Sequence, residues 1–242
     1  MKKIPVEEMF DRFIKQNSGQ KISELVGGNP SFQNADYLFK DNKIIAELKT
    51  LQTDFAKAET FQNKRHDLIR KYISEGKMEF RNLLNPSELP KDYLNDVIRI
   101  FRPALSRIIK KANVQIRETK EKLKFPDSSG LLILVNDDFI SLEPQFIISL
   151  ISDILIQSYS SVDGFVYLTL NHYVELPHND LDNLIWIPGY SDKAHLSLSD
   201  FVDKLGNQWQ KFLEIEIGEF DSNFSTENSD IIIQAKSIKR NI

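Results

Sequence analysis

The run LLILVND (131–137) constrains this chain more than any other segment. A strand that is apolar without alternation must be covered on both faces, which layered α/β architectures achieve by flanking a largely parallel sheet with helices. Pro126-Asp127-Ser128-Ser129-Gly130 supplies a turn before it, and a βαβ pattern follows. SLEPQFIISLISDILIQSY (141–159) predicts a helix over 143–158 that is apolar nearly all round, and GFVYLTLNHY (164–173) predicts a strand over 165–171. Their connection is long enough for a crossover between parallel strands. With 41% apolar and 27% charged residues, the composition is that of ordinary globular proteins.

Upstream, Val6, Phe10, Phe13 and Ile14 recur at helical spacing; Asn17-Ser18-Gly19 breaks the pattern, a short second helical stretch follows, and GGNPS (27–31) ends it. NADYLFK (34–40) and KIIAELKTL (43–51) are apolar, β-prone runs separated by Asp41-Asn42, which predicts an antiparallel hairpin. Residues 54–124 then read as charged helices interrupted at NPSELP (85–90), an α-helical insertion whose last piece places Leu105, Ile108, Ile109, Ala112, Ile116 and Leu123 on one stripe. In the C-terminal extension, about 174–242, NLIWIP (183–188) and DIIIQAK (230–236) suggest strands, and LSDFVDKLGNQWQKFL (198–213) a helix with Phe201, Leu205, Trp209 and Phe212 inward. Residues 1–242 therefore read as one domain with a helical insertion.

Charge is segregated along the chain. Residues 99–124 hold nine Lys and Arg against two Asp and Glu, whereas residues 125–242 hold six against eighteen. The basic character lies on the helix that carries Arg107, Lys110, Lys111 and Arg117 off its apolar stripe, which suits phosphate contacts. A solvated face, or docking on the acidic C-terminal third, competes with that reading.

Absence of cysteine excludes disulfides, a thiol nucleophile and a Cys-based zinc site, so any metal falls to oxygen or histidine ligands. Neither a phosphate-binding G-x-x-x-x-G-K-[ST] loop precedes the Walker-B-like LLILVND and Asp138, nor is a Ser-centred elbow present. A metal triad of His172, Glu175 and His178 is outweighed by ordinary scattered histidines. One cluster remains. On the strand 43–51, Glu47 and Lys49 point to one face and Leu48 to the other, while Asp36 lies on the partner strand. Two acids and a lysine on an apolar hairpin are costly to bury unless they pair or bind something.

Asp36 followed by Glu47-Leu48-Lys49 resembles the PD-(D/E)xK nuclease superfamily, whose pattern is an acid on one strand and Glu-x-Lys or Asp-x-Lys about ten residues on. The order of elements is also similar to that family's αβββαβ core, although no strand is evident before Asp36 and Ala35 stands where the pattern has proline. The resemblance implies a restriction-endonuclease-like mixed sheet flanked by helices, with the helical insertion after the Glu-x-Lys strand. It implies that Asp36, Glu47 and the Leu48 carbonyl hold Mg²⁺, for which Mn²⁺ substitutes, and that Lys49 orients the attacking water. Glu24, on the preceding helix, would add a ligand or water contact; its plain alternative is a solvated glutamate. Gln52 would border the site, or simply end the strand. The implied activity is phosphodiester hydrolysis, with DNA the expected substrate and restriction or phage defence the expected setting. The alternatives are a catalytically silent nuclease-fold binding module and a structural partner whose acidic third docks a basic neighbour. Both a homodimer and a partner subunit are compatible with the reading. Lacking an apolar leader or membrane-length segment, the chain is expected in the cytoplasm.

Overall fold

The computed structural model of the protein describes residues 3–27, 30–85, 88–177, 179–226 and 230–238. At its centre is a six-stranded mixed sheet in the order β1 (Gln20–Lys21), β2 (Tyr37–Phe39), β3 (Ile44–Leu51), β4 (Ser129–Asn136), β5 (Gly164–Thr169) and β8 (Trp186–Tyr190). β3, β4 and β5 run parallel; the other neighbouring pairs are antiparallel. Helices α1 (Val6–Gln16) and α6 (Leu196–Ile217) cover one face, and α4 (Lys91–Lys122) and α5 (Pro144–Ser158) the other.

Side-chain alternation explains why both layers are needed. Leu132 and Leu134 of β4 join the α4–α5 core, while Leu131, Ile133 and Val135 join the α1–α6 core. Every residue from Gly130 to Asn136 is buried, as the unbroken apolar run requires. Phe10 of α1 stacks on Trp209 of α6 at 4.5 Å, so the second layer is tied together by aromatic packing. Gly130 is needed at the start of β4, because a Cβ there would sit 1.9 Å from the Ser161 carbonyl oxygen.

The hairpin forms where expected, but its first strand spans only Tyr37–Phe39. The turn at Asp41-Asn42 is closed by the Lys43 amide donating to the Lys40 carbonyl at 3.1 Å, with Lys43 left-handed at φ 54°. The strand missing from the sequence pattern is β1, two residues that pair with Tyr37 and Leu38 just before the short α2 (Ile22–Leu25). Two residues are too few to show a period, so no strand was legible there.

Between β3 and β4 the expected helical insertion contains α3 (Glu59–Ser74), a 3-10 turn at Phe80–Leu84 and α4. α4 is one 32-residue helix that passes through Pro103, so the basic segment is the continuation of a longer element. The extension adds a small antiparallel sheet of β7 (Asn179–Asn183), β6 (Tyr173–Leu176) and β9 (Lys236–Ile238). Two expectations are corrected there. Within 183–188 the strand begins only at Trp186, after Leu184 and Ile185 connect it to β7. Asp230–Ile233 is a helical turn, α7, and only Lys236–Ile238 is extended, with the Ser237 amide donating to Glu143 at 2.6 Å. The apolar run Ile231-Ile232-Ile233 was ambiguous between the two, and packing beside α5 selected the helix. Parts of 27–31 and 85–90, and His178, lie outside the described residues. Among the described residues no helix is long and apolar enough to cross a membrane.

Candidate active site

Glu47 and Lys49 share the parity of Ile45 and Leu51 along β3 and therefore face α4, whereas Ala46 and Leu48 join the opposite core. Asp36 immediately precedes β2, and its Oδ2 accepts the Leu48 amide at 2.9 Å. A strand residue projects its N–H and C=O toward the same neighbour, so the Leu48 carbonyl faces the Asp36 side as well. β2 pairs with β3 only from Ile44 to Ala46, and among the described residues no strand covers that edge of β3 from Glu47 onward. The three sequence-predicted residues thus converge at one corner.

Glu47 is fully buried. Its Oε1 receives the Lys49 ammonium, and its Oε2 is buried and, when ionised, has no hydrogen-bond donor among the described residues. Such an oxygen is costly to leave unpaired. Burial, then the neighbouring Asp36 charge, pushes the Glu47 carboxyl up to about 8, outweighing the Lys49 ammonium. Asp36 is also raised, chiefly by burial and against the opposing Leu48 amide and Lys49 charge. Two carboxyls so close together cannot both ionise cheaply: Glu47 keeps a proton and donates it to Asp36 unless a cation lies between them.

Lys49 has a second partner that sequence reasoning missed. Gln115 of α4 accepts from the Lys49 ammonium at 2.9 Å and donates to the Asn34 carbonyl at 2.9 Å, fixing both ends of its amide. Thr119, one turn on, accepts the Ala35 amide at 2.8 Å, so α4 holds the segment leading into Asp36. The available signal was polar residues bordering an apolar helix stripe, a pattern that also describes ordinary surface positions.

Glu24 is exposed on α2; its charge and that of Asp36 both act on Lys21, whose ammonium bonds Asp11 at 2.5 Å. It belongs to the same corner without touching the carboxylate pair through any described hydrogen bond. Gln52 is exposed just past the end of β3 and makes no described contact with the site; Gln115 fills the place suggested for it. Arg107, Lys110, Lys111 and Arg117 are all exposed and make no described ion pair, whereas α4 itself packs on β3, α3 and α5; α5 belongs to the acidic 125–242 segment, which the helix meets through Arg102 at Asp153 and Lys120 at Asp163. His172 is buried and Glu175 exposed, and among the described residues no group of three or more His, Asp or Glu is arranged for a metal ion. At the Asp36–Glu47 corner the protein's donors are therefore two carboxylates and the Leu48 carbonyl. No family model matches the chain, and comparison with curated proteins and with solved structures finds no similar one.

Proposed function

We propose that this protein is a divalent-metal-dependent nuclease of the PD-(D/E)xK type, acting on DNA in a restriction or phage-defence setting in the cytoplasm. The observation that carries the reading is the convergence of Asp36, Glu47 and Lys49 where β3 runs beyond its pairing with β2, with Glu47 Oε2 buried and, when ionised, without a donor among the described residues. Its geometry suits the restriction-endonuclease-like core: a hairpin bearing the acid and the Glu-x-Lys strand, followed by a helix and parallel strands.

The residues fit a hard cation. Asp36, Glu47 and the Leu48 carbonyl offer only oxygen, and the ionised Glu47 oxygen would gain the partner it lacks. When bound, Mg²⁺ or Mn²⁺ supplies Lewis-acid polarisation of the phosphate and a water of lowered pKa. The chain does the rest. Asp36 and Glu47 would hold that ion beside Lys49, whose ammonium would orient the attacking water and offset charge developing on the phosphoryl oxygens. Gln115 restrains Lys49 to that task.

The test is cleavage of plasmid and linear DNA with Mg²⁺ or Mn²⁺, against EDTA, by the native chain and Lys49→Ala. Turnover should vanish in the variant while its melting temperature stays close to native, because a neutral Glu47 tolerates loss of the ammonium. Cleavage at the native rate by Lys49→Ala would refute the assignment.

A further inference from the structure

The neighbours of α4 divide its exposed cations into two groups. Arg102 pairs with Asp153 of α5, Asn113 accepts the Ser161 amide at 2.9 Å, and Lys120 meets Asp163 at 3.3 Å, so the flank holding these residues faces α5 and the start of β5. On the opposite flank, Gln115 joins Lys49 and the Asn34 carbonyl, and Glu118 accepts the Gln33 amide at 2.8 Å. Helix positions four apart stack along one ridge. Arg107 and Lys111 are therefore the two steps before Gln115 on its own ridge, separated by about 6 Å of axial rise each. Lys110 and Arg117, five residues before and two after Gln115, lie roughly 140° and 160° round the helix from it at about 100° per residue, toward the flank of Asn113 and Lys120.

The ridge leads to the stretch of β3 beyond Ala46, where no strand among the described residues pairs with it on the Asp36 side. Arg107 and Lys111 are exposed and make no hydrogen bond or ion pair among the described residues. Two unpaired cations in file, ending at a lysine and two carboxylates, complement a polyanion that places one phosphate in the corner and its neighbours along the helix. We infer that Arg107 and Lys111, and not Lys110 and Arg117, hold the backbone phosphates of the nucleic-acid strand that enters the Asp36–Glu47–Lys49 site. This rests on the nuclease reading and separates four residues that sequence alone treats alike.

Two charge-matched double variants test it, Arg107→Gln with Lys111→Gln and Lys110→Gln with Arg117→Gln, each made in the Lys49→Ala chain and compared by anisotropy of a labelled duplex oligonucleotide in Mg²⁺. Both remove two positive charges, so a diffuse field would be reduced equally. The first pair should weaken binding about tenfold at 0.1 M salt and flatten the log–log salt dependence by about 1.8, two phosphates at about 0.9 each. The second should change affinity less than about twofold. Equal losses from both pairs, or a larger loss from the second, would overturn the assignment. If the Lys49-intact chain still cleaves DNA in that case, only the strand path is wrong. Failure of the parent chain to bind any oligonucleotide, with no cleavage by the Lys49-intact protein, would overturn the path and the nuclease reading together.

Discussion

Replacing Glu47 by Gln should change how stability depends on pH, and the magnitude follows from its environment. In the folded protein without divalent metal, burial and Asp36 raise the carboxyl from 4.5 to about 8. Between those values the native state keeps a proton that the unfolded chain has released, so stability falls as pH rises. The Glu47 contribution is complete below pH about 4.5 and lost by about 8, at about 1.4 kcal/mol per pH unit and about 5 kcal/mol over the whole window. Asp36, also raised, adds to the loss in the same direction. Against a typical domain stability of about 5–15 kcal/mol this is large. Glu47→Gln removes the titration while keeping the shape. Urea unfolding in EDTA at pH 5, 6, 7 and 8, followed by Trp186 and Trp209 fluorescence, should show native stability falling relative to the variant. Exposed Glu75 and half-buried Asp96, which are held low by their partners, push the other way but cancel in that difference. Mg²⁺ at pH 8 should stabilise the native chain and leave Glu47→Gln almost unchanged. Parallel pH profiles for the two chains would refute this account of the Glu47 environment.

Gln115→Ala should lower kcat about tenfold to a hundredfold with KM little altered, since it releases Lys49 without touching substrate; Gln115→Glu, which keeps the acceptor, should recover part of the rate, and steady-state kinetics on both variants decide it. Gly130→Ala should cost about 1–3 kcal/mol in urea unfolding through the clash with Ser161, and leave the cleavage rate per folded molecule at the native value.

Sequence by itself determined which residues belong to which face. The alternation in Ile44–Leu51 put Glu47 and Lys49 together and Leu48 opposite, the unbroken run in β4 required cover on both sides, and the stripes of α1 and α6 marked their buried faces. All of these are local periodicities, and a period is fixed by the geometry of its own element. Tertiary structure decided what lies opposite each face. Gln115 is 66 positions from Lys49, β1 acquires its identity only by pairing with β2, and Asp230–Ile233 becomes helical beside α5. Arg107, Lys110, Lys111 and Arg117 look equivalent until Asn113 and Gln115 show which flank of α4 meets the start of β5 and which meets Lys49 on β3. A helix sequence encodes the angle of each side chain about its own axis, but only packing against the sheet sets the rotation of that axis relative to the site.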